Sequence, residues 1–124
     1  MSSIRPKELD DRLDSSSDEP PFLLDIRPKS AFESGAIDRS HNAPVYDDLR
    51  RGDESTLRDR FADIPADRDV VVVCKMGVVA KRATRVLRDE GYDASTLLGG
   101  MSGWTGYQNG SLGYKLRSLV WRLK

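Results

Sequence analysis

The sequence contains few residues that bind metals or form disulfide bonds. Among its 124 residues there is one cysteine, Cys74, and one histidine, His41. A single cysteine cannot form an internal disulfide, and together the two residues fall short of the ligand set of a zinc site. No metal site is therefore expected. A lone thiol without disulfides is typical of a reducing compartment, where it serves either packing or chemistry.

Long apolar runs and a net charge are also absent. The longest apolar run covers residues 70–74, far short of the roughly 20 residues of a membrane span. The opening MSSIRPKELDD lacks the apolar core of a secretory signal. The 20 acidic and 20 basic residues balance, which gives no overall reason to expect a nucleic-acid partner. These features predict one compact cytoplasmic domain.

Alternating strand and helix patterns predict an α/β domain. Strands are expected at 22–27, a short apolar run, at 70–73, where four β-branched valines follow one another, and at 94–98. Residues 78–90 show helical spacing of apolar residues, whereas 40–56 are predicted to be mostly irregular. This alternation predicts a mainly parallel sheet with helices on both faces. Shorter helices are expected after Pro6, after Pro28 and within 56–64.

Cys74 stands between the valine strand and the 78–90 helix, a position where ligands bind in parallel sheets. The first amides of a helix have no intrahelical partner, and the helix dipole adds partial positive charge there. Gly77 tolerates a positive φ, so the loop KMGV can turn its N–H groups towards the sulfur. Lys75 and Lys81 add formal charge. Such a loop would stabilise a thiolate, a persulfide or a bound oxyanion.

A packing role for Cys74 explains the same segment. Free cysteine is among the most buried residue types, and it commonly fills space at the end of an apolar strand. A basic helix face is commonly solvated surface. The segment by itself therefore leaves open whether Cys74 is a nucleophile or a core residue.

Three sequence blocks, taken in order, resemble a known family. Residues 22–45 contain Asp-x-Arg, an aromatic–Glu pair, Gly-x-Ile and Asn-x-Pro; residues 70–95 contain the strand, a Cys-x-x-Gly loop and a helix; residues 97–104 read LLGGMSGW. Together they are similar to the rhodanese-like domains, sulfurtransferases that carry sulfur as a cysteine persulfide. The resemblance covers roughly residues 4–107, and it favours the nucleophile over the core residue at Cys74.

The resemblance implies a rhodanese-like three-layer domain over 1–110 and a mechanism without metal or organic cofactor. Cys74 would attack the outer sulfur of thiosulfate or of a persulfide donor, then pass that sulfur to a thiophilic acceptor such as cyanide, a thiol or a protein. Asp25 and Arg27 match the Asp-x-Arg positions and are expected to support the site, Asp25 as a structural hydrogen-bonding residue. The residues implied to bind substrate are Lys75, Met76, Gly77, Val78, Val79 and Lys81.

The loop departs from the family pattern at Val78, Val79 and Ala80, where many members carry arginine or hydroxyl side chains. These apolar side chains cannot hydrogen-bond a thiosulfate oxygen, so recognition of an anion would fall on backbone amides and lysines. The loop therefore favours a less polar donor, or a protein persulfide, over fast turnover of thiosulfate. A related cysteine phosphatase would need arginine six residues after the cysteine, where this chain has Ala80.

Two other functions remain open: a rhodanese-like module that binds a partner without catalysis, and a relay that passes sulfur from one protein to another. Cys74, Gly77 and Lys81 favour the enzyme, and the apolar loop favours the module. The tail 111–124 places leucines on one helical stripe and basic residues elsewhere. It is predicted to be an amphipathic helix that docks on the domain, with contact to a partner protein or an anionic membrane surface as the alternatives.

Overall fold

A computed structural model describes residues 2–14 and 19–110 of the chain. Its centre is a parallel sheet with the strand order β1-β5-β4-β2-β3. The strands are β1 (Ser3–Ile4), β2 (Phe22–Asp25), β3 (His41–Asn42), β4 (Val70–Val73) and β5 (Ala94–Leu97). Because β2 and β4 are adjacent and parallel, their carboxyl ends meet at one edge of the sheet.

Helices follow most of the strands. They are α1 (Pro6–Asp14), α2 (Lys29–Ser34), α3 (Tyr46–Arg50), α4 (Ser55–Arg58), α5 (Ala80–Asp89) and α6, described over 100–110, with a 3₁₀ turn at Phe61–Asp63. The α/β class with a parallel sheet is confirmed, and the strands at β2, β4 and β5 lie where the sequence predicts them. The helix predicted for 78–90 begins two residues later, at Ala80.

Apolar side chains cover both faces of the sheet. Val70 and Val72 pack with α3, α4 and α5, and Val71 and Val73 pack with α1 and α6. Successive strand residues point to opposite faces, so a strand buried on both sides needs an apolar residue at every position. This explains the four consecutive valines. The helices on the two faces make the three layers that the sequence predicts.

The prediction that residues 40–56 are mostly irregular is wrong in part, because this segment holds β3, α3 and the start of α4. The amide of Ala43 donates to the carbonyl of Asp25, and that of Tyr46 donates to the carbonyl of Ile26. The acceptors are the last residue of β2 and the residue after it, which are distant in sequence, so no local pattern signals these bonds. Leu49 of α3 is then fully buried against α5.

The structure adds α6 directly after β5, where the sequence pattern predicts no helix. Trp104 of α6 is buried in the core beside α1. The predicted tail helix at 111–124 lies outside the described residues. Within the described residues, no helix combines the length and the apolar character needed to cross a bilayer.

Candidate active site

Cys74 is the first residue after β4, and its side chain is 1% exposed. It lies on the α5 side of the sheet, in the same cluster as Val79 and Ala80. Among the described residues, the amide of Gly77 donates a hydrogen bond to the Cys74 Sγ, at 3.0 Å. Gly77 has a φ of 86°, and this left-handed conformation turns its N–H back towards the sulfur. Strand, loop and helix are therefore arranged as the sequence analysis expects.

The turn between β5 and α6 holds the Cys74 loop from the side. The amide of Met101 donates to the carbonyl of Cys74 at 2.8 Å, and the amide of Ser102 donates to the carbonyl of Lys75 at 3.0 Å. Both donors belong to the first turn of α6, whose amides lack partners within the helix. The first turn of α6 thus fixes the loop by two main-chain bonds that the sequence analysis did not anticipate.

Gly100 permits this close contact. A Cβ atom at residue 100 would overlap the carbonyl oxygen of Cys74 and would lie 2.7 Å from the Lys75 carbonyl carbon and 2.8 Å from the Gly77 nitrogen. Its φ of 56° also favours glycine. The Gly99–Gly100 pair is the signal in the sequence that marks this contact, since two adjacent glycines indicate a backbone that another backbone approaches closely.

The loop side chains divide into three groups. Met76 and Val78 point outward and are 57% and 70% exposed, whereas Val79 is buried. Lys75 and Lys81 are exposed, and neither forms an ion pair with another described residue. The loop therefore covers a buried sulfur with an apolar outer surface, and an exposed lysine stands on either side of this segment along the chain.

Asp25 and Arg27 lie at the same sheet edge as Cys74, because Asp25 is in register with Val73. The Arg27 guanidinium donates from Nε and Nη2 to the Asp25 carboxylate at 2.8–3.2 Å, and Nη2 also donates to the Gly35 carbonyl at 2.7 Å. The Asp25 side chain is fully buried, so the guanidinium supplies the charge that it requires. The pair joins β2 to the segment after α2.

Glu33 pairs with Lys29 on the same helix, at 3.7 Å, and not with Arg27. Asn42 of β3 completes the corner, because its Nδ2 donates to the carbonyls of Asp25 and Arg27, each at 3.0 Å. The end of β2 is therefore fixed by buried hydrogen bonds. This arrangement is a structural support for the sheet edge that carries Cys74.

A cleft of about 1340 Å³ runs beside this edge between α1, α2 and α6. Arg27 and Lys75 are on its wall, together with Met101, but Cys74 is not among its lining residues. The cleft therefore adjoins the loop that covers Cys74.

Beside the cleft, one ionisable group has a shifted pKa. The Tyr107 hydroxyl of α6 donates to the Asp10 carboxylate at 2.8 Å. This hydrogen bond raises the pKa of Tyr107, because the neutral phenol is the form that donates. The described residues bring together no group of three or more His, Cys, Asp or Glu side chains suited to hold a metal ion.

The chain matches one family of known proteins over most of its length. The family model described as "Rhodanese-like domain" matches residues 5–107. A solved rhodanese-related protein of Thermoplasma volcanium superposes with a TM-score of 0.71 at 22% identity, covering 86% of this chain and 93% of that one. At this identity the likeness to the solved structure concerns the fold alone.

Two curated relatives are larger proteins. An adenylyltransferase and sulfurtransferase of Candida glabrata is 40% identical over 70 residues, 55% of this chain and 16% of that protein. An HTH-type transcriptional regulator of Mycobacterium tuberculosis is 33% identical over 84 residues, 66% of this chain and 33% of that protein. The chain thus spans a third or less of the length of these relatives.

Proposed function

The chain belongs to the rhodanese-like domain family, and on this premise we propose that it is a sulfurtransferase that carries sulfane sulfur on Cys74. One observation carries the proposal: the Cys74 Sγ, at the end of β4, accepts a hydrogen bond from the amide of Gly77. A backbone amide that donates to sulfur stabilises negative charge on it, and the positive end of the α5 dipole begins two residues further on, at Val79. Gly77, held at a φ of 86°, brings this amide to the sulfur.

The first half-reaction is a displacement at sulfur. The Cys74 thiolate attacks the outer sulfur of thiosulfate, the S–S bond of the donor breaks, and sulfite leaves with its electron pair. The product is a Cys74 persulfide anion. In the second half-reaction cyanide takes the outer sulfur as thiocyanate, and the Cys74 thiolate is restored. The two steps conserve charge and need no oxidant or reductant.

In the proposed site, backbone amides and side chains bind different parts of the substrate. The amides of 75–79 would hold the terminal persulfide sulfur, and the ammonium groups of Lys75 and Lys81 would attract an anionic donor. Met76, Val78 and Val79 offer no hydrogen-bond donor on their side chains. We therefore propose that the protein turns over thiosulfate more slowly than a donor with an apolar substituent. We also propose that it acts in a reducing cytoplasm.

A second function has its own support. The Cys74 side chain is 1% exposed, and one relative bears the name of a transcriptional regulator. Both observations favour a rhodanese-like module that binds a partner and does not turn over sulfur. A relay between two proteins would combine binding with transfer, and it requires the same Cys74 persulfide as the enzyme.

The test combines an assay with mass spectrometry. The protein is incubated with thiosulfate, its intact mass is recorded, and thiocyanate is measured after cyanide is added. The wild type is expected to gain one sulfur atom and to form thiocyanate, and Cys74→Ser to do neither while remaining folded by circular dichroism. A wild type that gains no sulfur from thiosulfate or from glutathione persulfide would leave the binding module as the function.

A lysine pair tests the anion site. Lys81→Met is expected to raise the KM for thiosulfate several-fold by removing an ammonium group beside the loop. Lys7→Met on α1 is the matched control, since Lys7 is an exposed lysine that pairs with Asp11. Equal KM values for the two variants would remove Lys81 from the site.

A further inference from the structure

The exposed large apolar side chains of the described residues are concentrated at one place. They are Met76 and Val78 in the Cys74 loop and Leu98 after β5, with exposed fractions of 57%, 70% and 37%. Single exposed apolar residues are ordinary, but a group of them at one site indicates an interaction surface. Met76, Val78 and Leu98 constitute an apolar rim.

The backbones that carry the apolar rim are in contact. A Cβ built on Gly77 would lie 3.2 Å from the Leu97 carbonyl oxygen and 3.2 Å from the Gly99 nitrogen, the two atoms that flank Leu98 along the chain. Met76 and Val78 flank Gly77 in the same way. The backbone of Leu98 therefore lies beside the loop that covers Cys74, and the three residues of the rim belong to two turns in contact.

We propose that the apolar rim is the docking surface for a protein that brings sulfur to Cys74 or takes it away, through a segment with apolar and acidic side chains around the reacting cysteine. The inference rests on the proposed function and specifies its partner. It adds Leu98 to the residues that determine specificity.

The positive charge of the lysines near the rim explains why the partner's segment is expected to contain acidic residues. Lys75 and Lys81 are exposed beside it and pair with no carboxylate of the described residues. The first turn of α5 contains no acidic residue. A segment that places carboxylates outside its apolar residues would pair with both ammonium groups. Such rim charges mainly accelerate association and set the register of the complex.

The chemistry of sulfur transfer favours a protein as the occupant of the rim over a membrane or a second copy of this chain. A membrane lipid carries no sulfane sulfur, and three side chains are few for insertion into a bilayer. A second copy of this chain would cover the loop and close the route to Cys74. A protein segment that bears a cysteine persulfide can fill the rim and present its sulfur in the same event.

The transfer step balances with such a partner. The Cys74 thiolate attacks the outer sulfur of the partner's persulfide, RS–SH, and the S–S bond of the partner breaks. Cys74 becomes the persulfide, and the partner leaves as its thiolate, RS⁻. When the partner is the acceptor, its thiolate attacks the outer sulfur of the Cys74 persulfide and the same bonds exchange in reverse.

The test uses two synthetic peptides that differ in their apolar residues. Each peptide carries one persulfidated cysteine. In the first peptide leucines flank the cysteine, in the second serines do, and in both peptides aspartates follow on the outer side of these flanking residues. With cyanide as acceptor, the wild type is expected to favour the leucine peptide by about tenfold in kcat/KM, as a small apolar pocket does. Leu98→Asn and Val78→Thr, both nearly isosteric, are expected to lower this ratio towards one.

Binding separates this inference from the proposed function. The affinity of Cys74→Ser for the two peptides in their thiol form is measured by fluorescence anisotropy. Preference for the leucine peptide without sulfur transfer from any donor would refute the sulfurtransferase and keep the docking surface. A ratio near one in the wild type, or one that neither substitution changes, would overturn the docking surface. The docking surface would also be overturned if the wild type formed dimers, or bound anionic vesicles, and Leu98→Asn abolished that association.

Discussion

The amide of Met101 donates a hydrogen bond to the carbonyl oxygen of Cys74 at 2.8 Å. The proposed nucleophile is therefore tied by its own main chain to the first turn of α6, in addition to the strand that precedes it. Lys75 is tied in the same way through Ser102. The position of the Cys74 sulfur depends on the turn after β5, and substitutions in this turn are expected to change sulfur transfer.

Gly100→Ala tests this dependence. The new Cβ would overlap the Cys74 carbonyl oxygen, so the turn and the loop must separate and the bonds from Met101 and Ser102 must lengthen. We expect a loss of about 1–3 kcal/mol in the free energy of unfolding and a fall in kcat of more than tenfold. Urea denaturation and the thiocyanate assay measure the two effects.

Gly106→Ala is the control for that prediction, because Gly106 is exposed on the same helix and a Cβ added there would meet no atom within 4 Å. Alanine inside a helix is expected to add about 0.5–1 kcal/mol of stability and to leave sulfur transfer unchanged. Equal activities of the two variants would refute the role assigned to the turn after β5.

Gly77→Ala tests the hydrogen bond to the sulfur against a matched glycine. Gly77 and Gly91 have φ values of 86° and 97°, so alanine at either position costs about 1–2 kcal/mol of backbone strain. At Gly77 the Cβ would also press on the Leu97 and Gly99 backbone at 3.2 Å, whereas nothing lies within 4 Å at Gly91. Only Gly77→Ala is expected to displace the amide that donates to the Cys74 sulfur. It should therefore slow the alkylation of Cys74 by iodoacetamide several-fold at neutral pH, whereas Gly91→Ala should not.

The strands and the class of fold follow from local pattern, but the contacts that complete the site do not. Val70–Val73 could be predicted because every residue of a strand buried on both faces is apolar. Residues 40–56 resisted prediction because β3 takes its hydrogen bonds from β2. The grouping of Leu98 with Met76 and Val78 depends on the packing of two turns, which no spacing in the sequence reports.

Arg27→Met tests the buried pair at the sheet edge. The substitution removes the guanidinium and leaves the buried Asp25 carboxylate with the backbone amide of residue 27 as a donor, and loss of one member of such a pair costs about 3–5 kcal/mol. Lys29→Met is the control, since it removes the exposed pair with Glu33 and is expected to change stability by less than about 1 kcal/mol. Chemical denaturation at pH 7 measures both, and similar values would show that the Arg27 pair contributes no more than a surface pair.

Tyr107→Phe tests the bond between α6 and α1 through its dependence on pH. The Asp10 carboxylate raises the pKa of Tyr107 in the folded chain, above the value of about 10 in the unfolded chain. The bond therefore stabilises the fold fully below pH 10, and its contribution is lost as the pH rises through the folded pKa. The difference in unfolding free energy between wild type and Tyr107→Phe should be constant from pH 7 to 9 and shrink towards pH 11. A difference that persists unchanged at pH 11 would assign the effect to packing of the ring.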